Sequence, residues 1–162
     1  MTYQTANEEA QKEATYYPSG KLEQECTYFE GKLHGLSIFY SEEGTVLSHS
    51  SFIHGVREGR VGLYYLSGKP YAVKQFKQGL LEGLQEYFYE DGSLKTTMTY
   101  QRGLLHGEVR LFWPDKTVKR VCFFHEGKKQ GWDRLWNEKG EQIDAEEYDA
   151  GRRLSPSTST LS

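Results

Sequence analysis

Apolar and aromatic residues alternate with polar ones in short runs along this chain, and glycine breaks each run. In the first such run Leu22, Cys26 and Tyr28 share one parity with Gln24. Later runs repeat the arrangement at Val46/Phe52, Leu94/Met98/Tyr100 and Val118/Cys122/Phe124. A second kind of run alternates as Leu36, Ile38, Tyr40 and again as Leu84, Glu86, Phe88. Alternation with a period of two predicts half-buried β-strands. The breaks carry turn chemistry. Ser67-Gly68 and Asp91-Gly92 are turn dipeptides in which glycine supplies a positive φ. A glycine pair four residues apart, such as Gly103 and Gly107, marks the other turn. There glycine either takes positive φ or lets neighbouring backbone approach closely.

The pattern recurs every 24 residues without an insertion. The first glycine of the pair falls at Gly31, Gly55, Gly79, Gly103, Gly127 and Gly151. The second falls at Gly35, Gly59, Gly83, Gly107 and Gly131, and fails at Ser155. The turn glycine falls at Gly20, Gly44, Gly68, Gly92 and Gly140, with Lys116 as the exception. A ring stands three residues before the first glycine in every copy: Tyr28, Phe52, Phe76, Tyr100, Phe124 and Tyr148. Five full repeats and a degenerate sixth therefore span residues 16–154. A single hairpin is marginal in water, so hairpins of this kind are expected to stack and stabilise one another as nearest neighbours. The predicted fold is all-β: an elongated, single-layer antiparallel sheet of stacked hairpins.

The flanks read differently. Residues 1–15 are polar, and Asn7 followed by Glu8 and Glu9 can cap a short helix. This segment is expected either to cover the first sheet edge or to stay disordered. In the last repeat Gln142, Asp144 and Glu146 stand where earlier copies hold small or apolar residues, which protects a sheet edge against pairing. Residues 155–162, SPSTSTLS, are low in complexity and are expected to be disordered. The two cysteines, Cys26 and Cys122, hold the same repeat position four periods apart. At roughly 10 Å of sheet per period their sulfurs are expected on the order of 40 Å apart, so both are expected reduced.

The stretch YEDGSLKTTMTYQRGLLHG at 89–107 carries the pattern aromatic-x-x-Gly-x-Leu…Tyr-x-x-Gly-x-x-x-Gly. It resembles the MORN repeat, and most of all the bacterial variant found in small antitoxin-like proteins. The resemblance covers residues 16–154. It implies a twisted sheet of successive hairpins and binding to proteins or phospholipid surfaces, with an antitoxin-like or immunity-like inhibitor as an alternative. Lys116 at the turn glycine, Pro70 for the usual leucine and the decayed last repeat depart from the pattern.

Composition narrows the function further. A net charge of −3 gives no bulk reason to expect nucleic acid or anionic membrane. No apolar run approaches a membrane span, and the polar leader points to the cytoplasm or to a specialised secretion route. His34 and His106 share a repeat position but stand three periods apart, too far to hold one metal, and His49 and His54 differ in parity. No nucleophile elbow or phosphate loop is present. The chain is therefore expected to be a non-enzymatic binding module without cofactor or metal, with its oligomeric state open.

Two surfaces are candidates. One is an aromatic face through Phe39, Leu63, Tyr65, Tyr87, Tyr89, Leu111 and Trp113, expected on the side opposite the ring ladder. Tyr65, Tyr87, Tyr89, Leu111 and Trp113 are its expected partner-binding anchors, unless curvature and long neighbours cover them. The other is basic: Lys116, Lys119, Arg120, Lys128 and Lys129, with Arg134 nearby, as a candidate anionic or phospholipid surface. The aromatic residues do not interleave with these bases, so no nucleic acid is expected there.

Overall fold

The computed structural model describes residues 9–154, of which strands occupy most and helices none. The chain divides after Leu80 into two compact halves. The N-terminal half carries β1 (Gln11–Tyr16), β2 (Leu22–Phe29), β3 (Lys32–Tyr40), β4 (Val46–Ile53), β5 (Val56–Arg57), β6 (Gly59–Tyr64) and β7 (Pro70–Lys77). At the division lies β8 (Leu80–Leu81). The C-terminal half carries β9 (Gly83–Phe88), β10 (Leu94–Gln101), β11 (Leu104–Phe112), β12 (Val118–His125), β13 (Lys128–Lys129), β14 (Gly131–Trp136), β15 (Gln142–Asp149) and β16 (Arg152–Arg153).

Each half is an open antiparallel sheet. The N-terminal order is β1-β2-β3-β4-β6-β7, with β5 extending β4. The C-terminal order is β9-β10-β11-β12-β14-β15-β16, with β13 on β12. Neighbours in the sheet are neighbours in sequence, as a run of hairpins requires. From residue 11 onward the leader segment covers the first sheet edge, one of its two expected roles, but as a strand instead of a helix. Gln11–Tyr16 is a strand paired with β2 from Gln11↔Tyr28 to Thr15↔Gln24. An exposed edge offers a complete row of backbone partners, which outweighs the weak helical propensity of these residues. Asn7 and the tail 155–162 lie outside the described residues.

Two turns alternate. At the hairpin tips two successive residues take positive φ, for example Glu30 (51°) and Gly31 (70°). His54, Gln78, Arg102, Glu126 and Ala150 repeat the first of these, each followed by its glycine. Both central residues left-handed is the signature of a type I′ turn, whose twist matches the flanking strands. The second glycine of each pair is a bulge. Between the pairs Cys26↔Ser37 and Tyr28↔Leu33 one residue of β2 opposes three of β3, and Gly35 turns there with φ 92°. At the opposite end Gly44, Gly68, Gly92 and Gly140 each donate a backbone hydrogen bond three residues back, for example to the Tyr89 carbonyl at 2.9 Å. Lys116 makes the same bond, to the Trp113 carbonyl at 2.9 Å, with φ 72°. The turn therefore keeps its shape, and Lys116 carries the strain of a left-handed side chain.

A side chain added at Gly31, Gly59, Gly83 or Gly131 would meet nothing within 4 Å. These glycines serve the dihedral angle rather than a close approach. Gly62 is the exception: a methyl there would lie 2.3 Å from the His49 ring.

Backbone hydrogen bonds tie each tip to the next. Gly55 N–H donates to the Leu33 carbonyl at 2.7 Å and Gly79 N–H to Arg57 at 2.9 Å. In the C-terminal half Gly103, Gly127 and Gly151 donate to Leu81, Leu105 and Lys129, each at 2.8 Å. A side chain completes the link. Glu58 accepts from the Gln78 N–H at 2.6 Å, Glu82 from Arg102 at 2.7 Å, Gln130 from Ala150 at 2.9 Å, and His34 Nδ1 from His54 at 3.4 Å. Every one of these acceptors precedes the second glycine of its pair.

Each half buries a column of small or polar residues 24 apart, Ser37 and Val61, then Gln85, Val109 and Asp133, and Ala72 and Thr96 are buried as well. Cys26 and Cys122 lie beside that column, both buried and free, and burial pushes the Cys122 thiol up. Gln85 is wholly buried, and its amide donates to the Glu82 and Gly83 carbonyls at 3.2 and 3.0 Å.

The turn geometry predicts opposite signs for two substitutions. Gly92→Ala is expected to cost about 1 kcal/mol, because alanine must take φ near 90°. Lys116→Gly is expected to stabilise by about 0.5–1 kcal/mol by releasing the same strain. Urea unfolding of the two variants beside the parent checks both.

Candidate binding groove

The registers assign every strand residue to a face. In the N-terminal half Tyr28 opposes Leu33, Gly35 opposes Phe52, and Gly59 opposes Phe76. Phe39 opposes both Gln24 and Ser48, and Ser48 opposes Leu63. Phe39 and Leu63 therefore share the face of the ring ladder. In the C-terminal half Tyr87 and Leu111 both oppose Thr96, on the face of Met98 and Tyr100. The expected opposite face is thus corrected. Paired residues across a two-residue turn sum to an odd number, so odd positions on one strand face the same way as even positions on the next.

Tyr65, Tyr89 and Trp113 stand in the turns instead of on a strand face. Tyr89 donates its phenol proton to the Phe112 carbonyl at 2.9 Å, and Trp113 its indole N–H to the Trp136 carbonyl at 3.2 Å. Tyr17 does the same to Tyr40 at 2.7 Å. Each bond spans 23 residues and links one repeat to the next. Tyr65 meets Tyr71 edge to face at 5.3 Å. Of the five expected anchors, two lie on the ladder face and three in the turns.

The basic candidates also separate. Arg120 opposes Leu111 and Lys129 opposes Phe124, which puts both on the ladder face. There they close on Asp133, only 6% exposed: Arg120 Nε and Nη2 reach its two oxygens at 2.7 and 2.5 Å, and Lys129 Nζ reaches one at 2.5 Å. Burial pushes the Asp133 carboxyl up, but the hydrogen bonds and charges of Arg120 and Lys129 outweigh it and hold it below the usual range. Lys119 is the bulge residue of β12, opposite no partner, with its ammonium 4.0 Å from the Trp113 ring centre. Lys128 pairs with His125 on the other face, and Lys116 stands in its turn. Arg134, opposite Val121, also faces away from Arg120, 5.5 Å from the Trp132 ring.

What the ladder face builds in the N-terminal half is a groove of about 270 Å³. Ser37, Ser50 and Val61 make its floor. Phe39, Ser48 and Leu63 line one side, and Phe52 and Phe76 the other. Phe39 remains 42% exposed. Two cations complete the lining, Lys74 and Arg57, and the Arg57 guanidinium lies 5.4 Å from the Phe52 ring centre and 5.1 Å from that of Phe76. The groove exists because Ser48 and Ser50 are small where Arg120 and Cys122 stand in the equivalent C-terminal repeat.

A family model described as MORN repeat variant matches residues 12–30 and 81–102, one stretch in each half. The two matched stretches carry the MORN repeat pattern. The matched stretches share phase with the others at the 24-residue step, and the I′ tip recurs in each repeat. The MORN repeat is a non-enzymatic binding repeat, and in general it engages proteins or membrane lipids. No curated protein matches the chain.

Three features of these repeats emerge with the structure. Arg57 carries no sequence signal of its own, because the ladder rings that hold it come from Phe52 and from Phe76, one repeat on. The acceptor column 34/58/82/106/130 holds only His, Glu or Gln, a signal that was present. The histidines pair differently from their sequence grouping: His34 with His54 at 5.0 Å and His106 with His125 at 4.8 Å between ring centres. Among the described residues no three His, Cys, Asp or Glu side chains gather as metal ligands would.

Two measurements follow. Asp133→Asn is expected to cost about 1–2 kcal/mol at pH 7, since it leaves Arg120 and Lys129 without their acid and both are partly screened by water. The Asp133 contribution is complete above the unfolded carboxylate value of about 3.9 and is lost as pH falls through the lower folded value, so the parent and variant converge in acid. Urea midpoints across that range report it. Tyr89→Phe is expected to cost about 1 kcal/mol through its lost bond to Phe112, read as a lower midpoint in the same assay.

Proposed function

We propose that this protein is an interaction module that binds another protein through the ladder face of its MORN repeats. The carrying observation is the groove of the N-terminal half, where half-exposed rings stand over a floor of small residues. A single-layer sheet cannot cover both of its own faces, and rings left at the rim of a groove are the residues that anchor partners. Tyr87 and Leu111 belong to the same kind of face in the C-terminal half. An antitoxin-like or immunity-like inhibitor is one form such a module takes, with the partner an enzyme whose site it covers. The basic residues favour a lipid surface less, because Arg120 and Lys129 are turned to Asp133, Lys119 lies over the Trp113 ring and Lys128 faces the other way.

Site-specific photocrosslinking tests the face. Benzoylphenylalanine in place of Phe39 is expected to yield a discrete adduct with another protein in the native cells, whereas the same group in place of Phe123, on the opposite face, is not. Leu63→Arg is expected to remove the adduct and leave thermal unfolding within a few degrees of the parent. Equal adducts from both faces, or none from position 39, would end this reading.

A further inference from the structure

Arg57 belongs to a column of the repeat, 24 residues apart, that also holds Leu33, Leu81, Leu105, Lys129 and Arg153. Leucine fills it in three copies, so the fold does not need a cation there. Where the C-terminal half does place one, an acid from the same sheet answers it. Lys129 binds Asp133, four residues on, while its ammonium lies 4.6 Å from the Tyr148 ring centre. Arg153 binds Glu146, seven residues back, at 2.9 Å. Arg57 repeats the stacking of Lys129, with Phe76 in the place of Tyr148. The two acid positions are changed: four residues on stands Val61, and seven back stands Ser50. Both of those residues line the groove, as does Lys74, and no carboxylate is among its lining residues.

We infer that the groove binds an acidic, extended peptide segment whose carboxylate takes, against Arg57, the place that Asp133 takes against Lys129. This rests on the binding face proposed above and names the chemistry of its partner. The rings of Phe52 and Phe76 hold the guanidinium over the groove, which lowers the ordering cost of a charge-assisted bond. Ser48 and Ser50 offer hydroxyl donors on the same lining. Phe39 and Leu63 suit an apolar side chain next to the acid. A groove of this volume holds about two side chains, which fits a short stretch of extended chain better than a bilayer surface.

The test uses the full chain and a dye-labelled octapeptide with glutamate alternating with leucine, followed by fluorescence anisotropy. The acidic peptide is expected to bind, and its glutamine counterpart to bind at least about tenfold more weakly, the size of one charge-assisted hydrogen bond. Arg57→Leu, which installs the residue of three sister repeats, is expected to erase that difference with the circular dichroism spectrum unchanged. Val61→Asp is expected to do the same by supplying an internal acid while keeping the guanidinium. Raising salt is expected to weaken the acidic peptide alone. Retained acid preference in Arg57→Leu, or no binding of the acidic peptide by the parent, overturns the inference. So does Arg57-dependent binding to phosphatidylserine vesicles without peptide binding. Equal binding of both peptides sinks the role of Arg57 but leaves the binding face standing, since crosslinking from position 39 judges that separately.

Discussion

The architecture depends on left-handed backbone at fixed places. Every hairpin tip requires two consecutive positive φ angles, because only a type I′ turn carries the twist of the strands it joins. Glycine takes one of them at no steric cost. The other falls on Glu30, His54, Gln78, Arg102, Glu126 or Ala150, none of which prefers it. At four of them the strain of about 1 kcal/mol is offset locally. The left-handed residue donates its N–H to an acceptor one repeat earlier at His54, Gln78, Arg102 and Ala150, and the following glycine donates to a carbonyl beside that acceptor. Tip geometry and stacking of repeats are thus one interaction seen twice: the turn that strains the backbone also presents the donors that join neighbouring hairpins.

A sheet held together from its turns has little need of a large apolar interior. The buried columns hold a serine and a valine in one half, and a glutamine, a valine and an aspartate in the other, with cysteines beside them. Polar members are admitted because each finds a partner close by. Gln24 donates to Ser37 at 3.2 Å, Gln85 donates to carbonyls of its own bulge, and Asp133 holds two cations. The ladder rings then stand at the side of a floor of small groups rather than inside a core. In the N-terminal half, where Ser48 and Ser50 are small, a groove opens. Binding surface and structural economy come from the same choice of small side chains.

The repeats also show how one column can carry either stability or recognition. Lys129 with Asp133 is an internal pair on an edge-ward repeat. Arg57 with Val61 has the same cation and the same ring beside it, and its acid must come from elsewhere. Tyr89 and Trp113 illustrate the converse. Large exposed-looking aromatics in the sequence are bonded to the carbonyl of the following repeat, so their size serves stacking of the hairpins.

Phase was legible in the chain alone. Glycines and rings at a constant step declare hairpins, because a positive φ and an alternating face are local demands that only certain residues meet. For the same reason Lys116 could be placed in the turn without coordinates. Facing was not legible. Counting odd and even positions fails across a turn, since pairing there joins odd to even, and so Phe39 and Leu63 were expected on the wrong side. Nor could the chain say that residues 11–16 would cover the first edge as a strand, where a row of unpaired backbone groups outweighs local preference. Partnerships between repeats came only with the tertiary structure: His34 with His54, Tyr89 with the Phe112 carbonyl, Arg57 with two rings. Each joins groups about twenty residues apart, and their meeting depends on register and bulge. Those are set by the backbone hydrogen bonds of the assembled sheet rather than by the identity of any one residue.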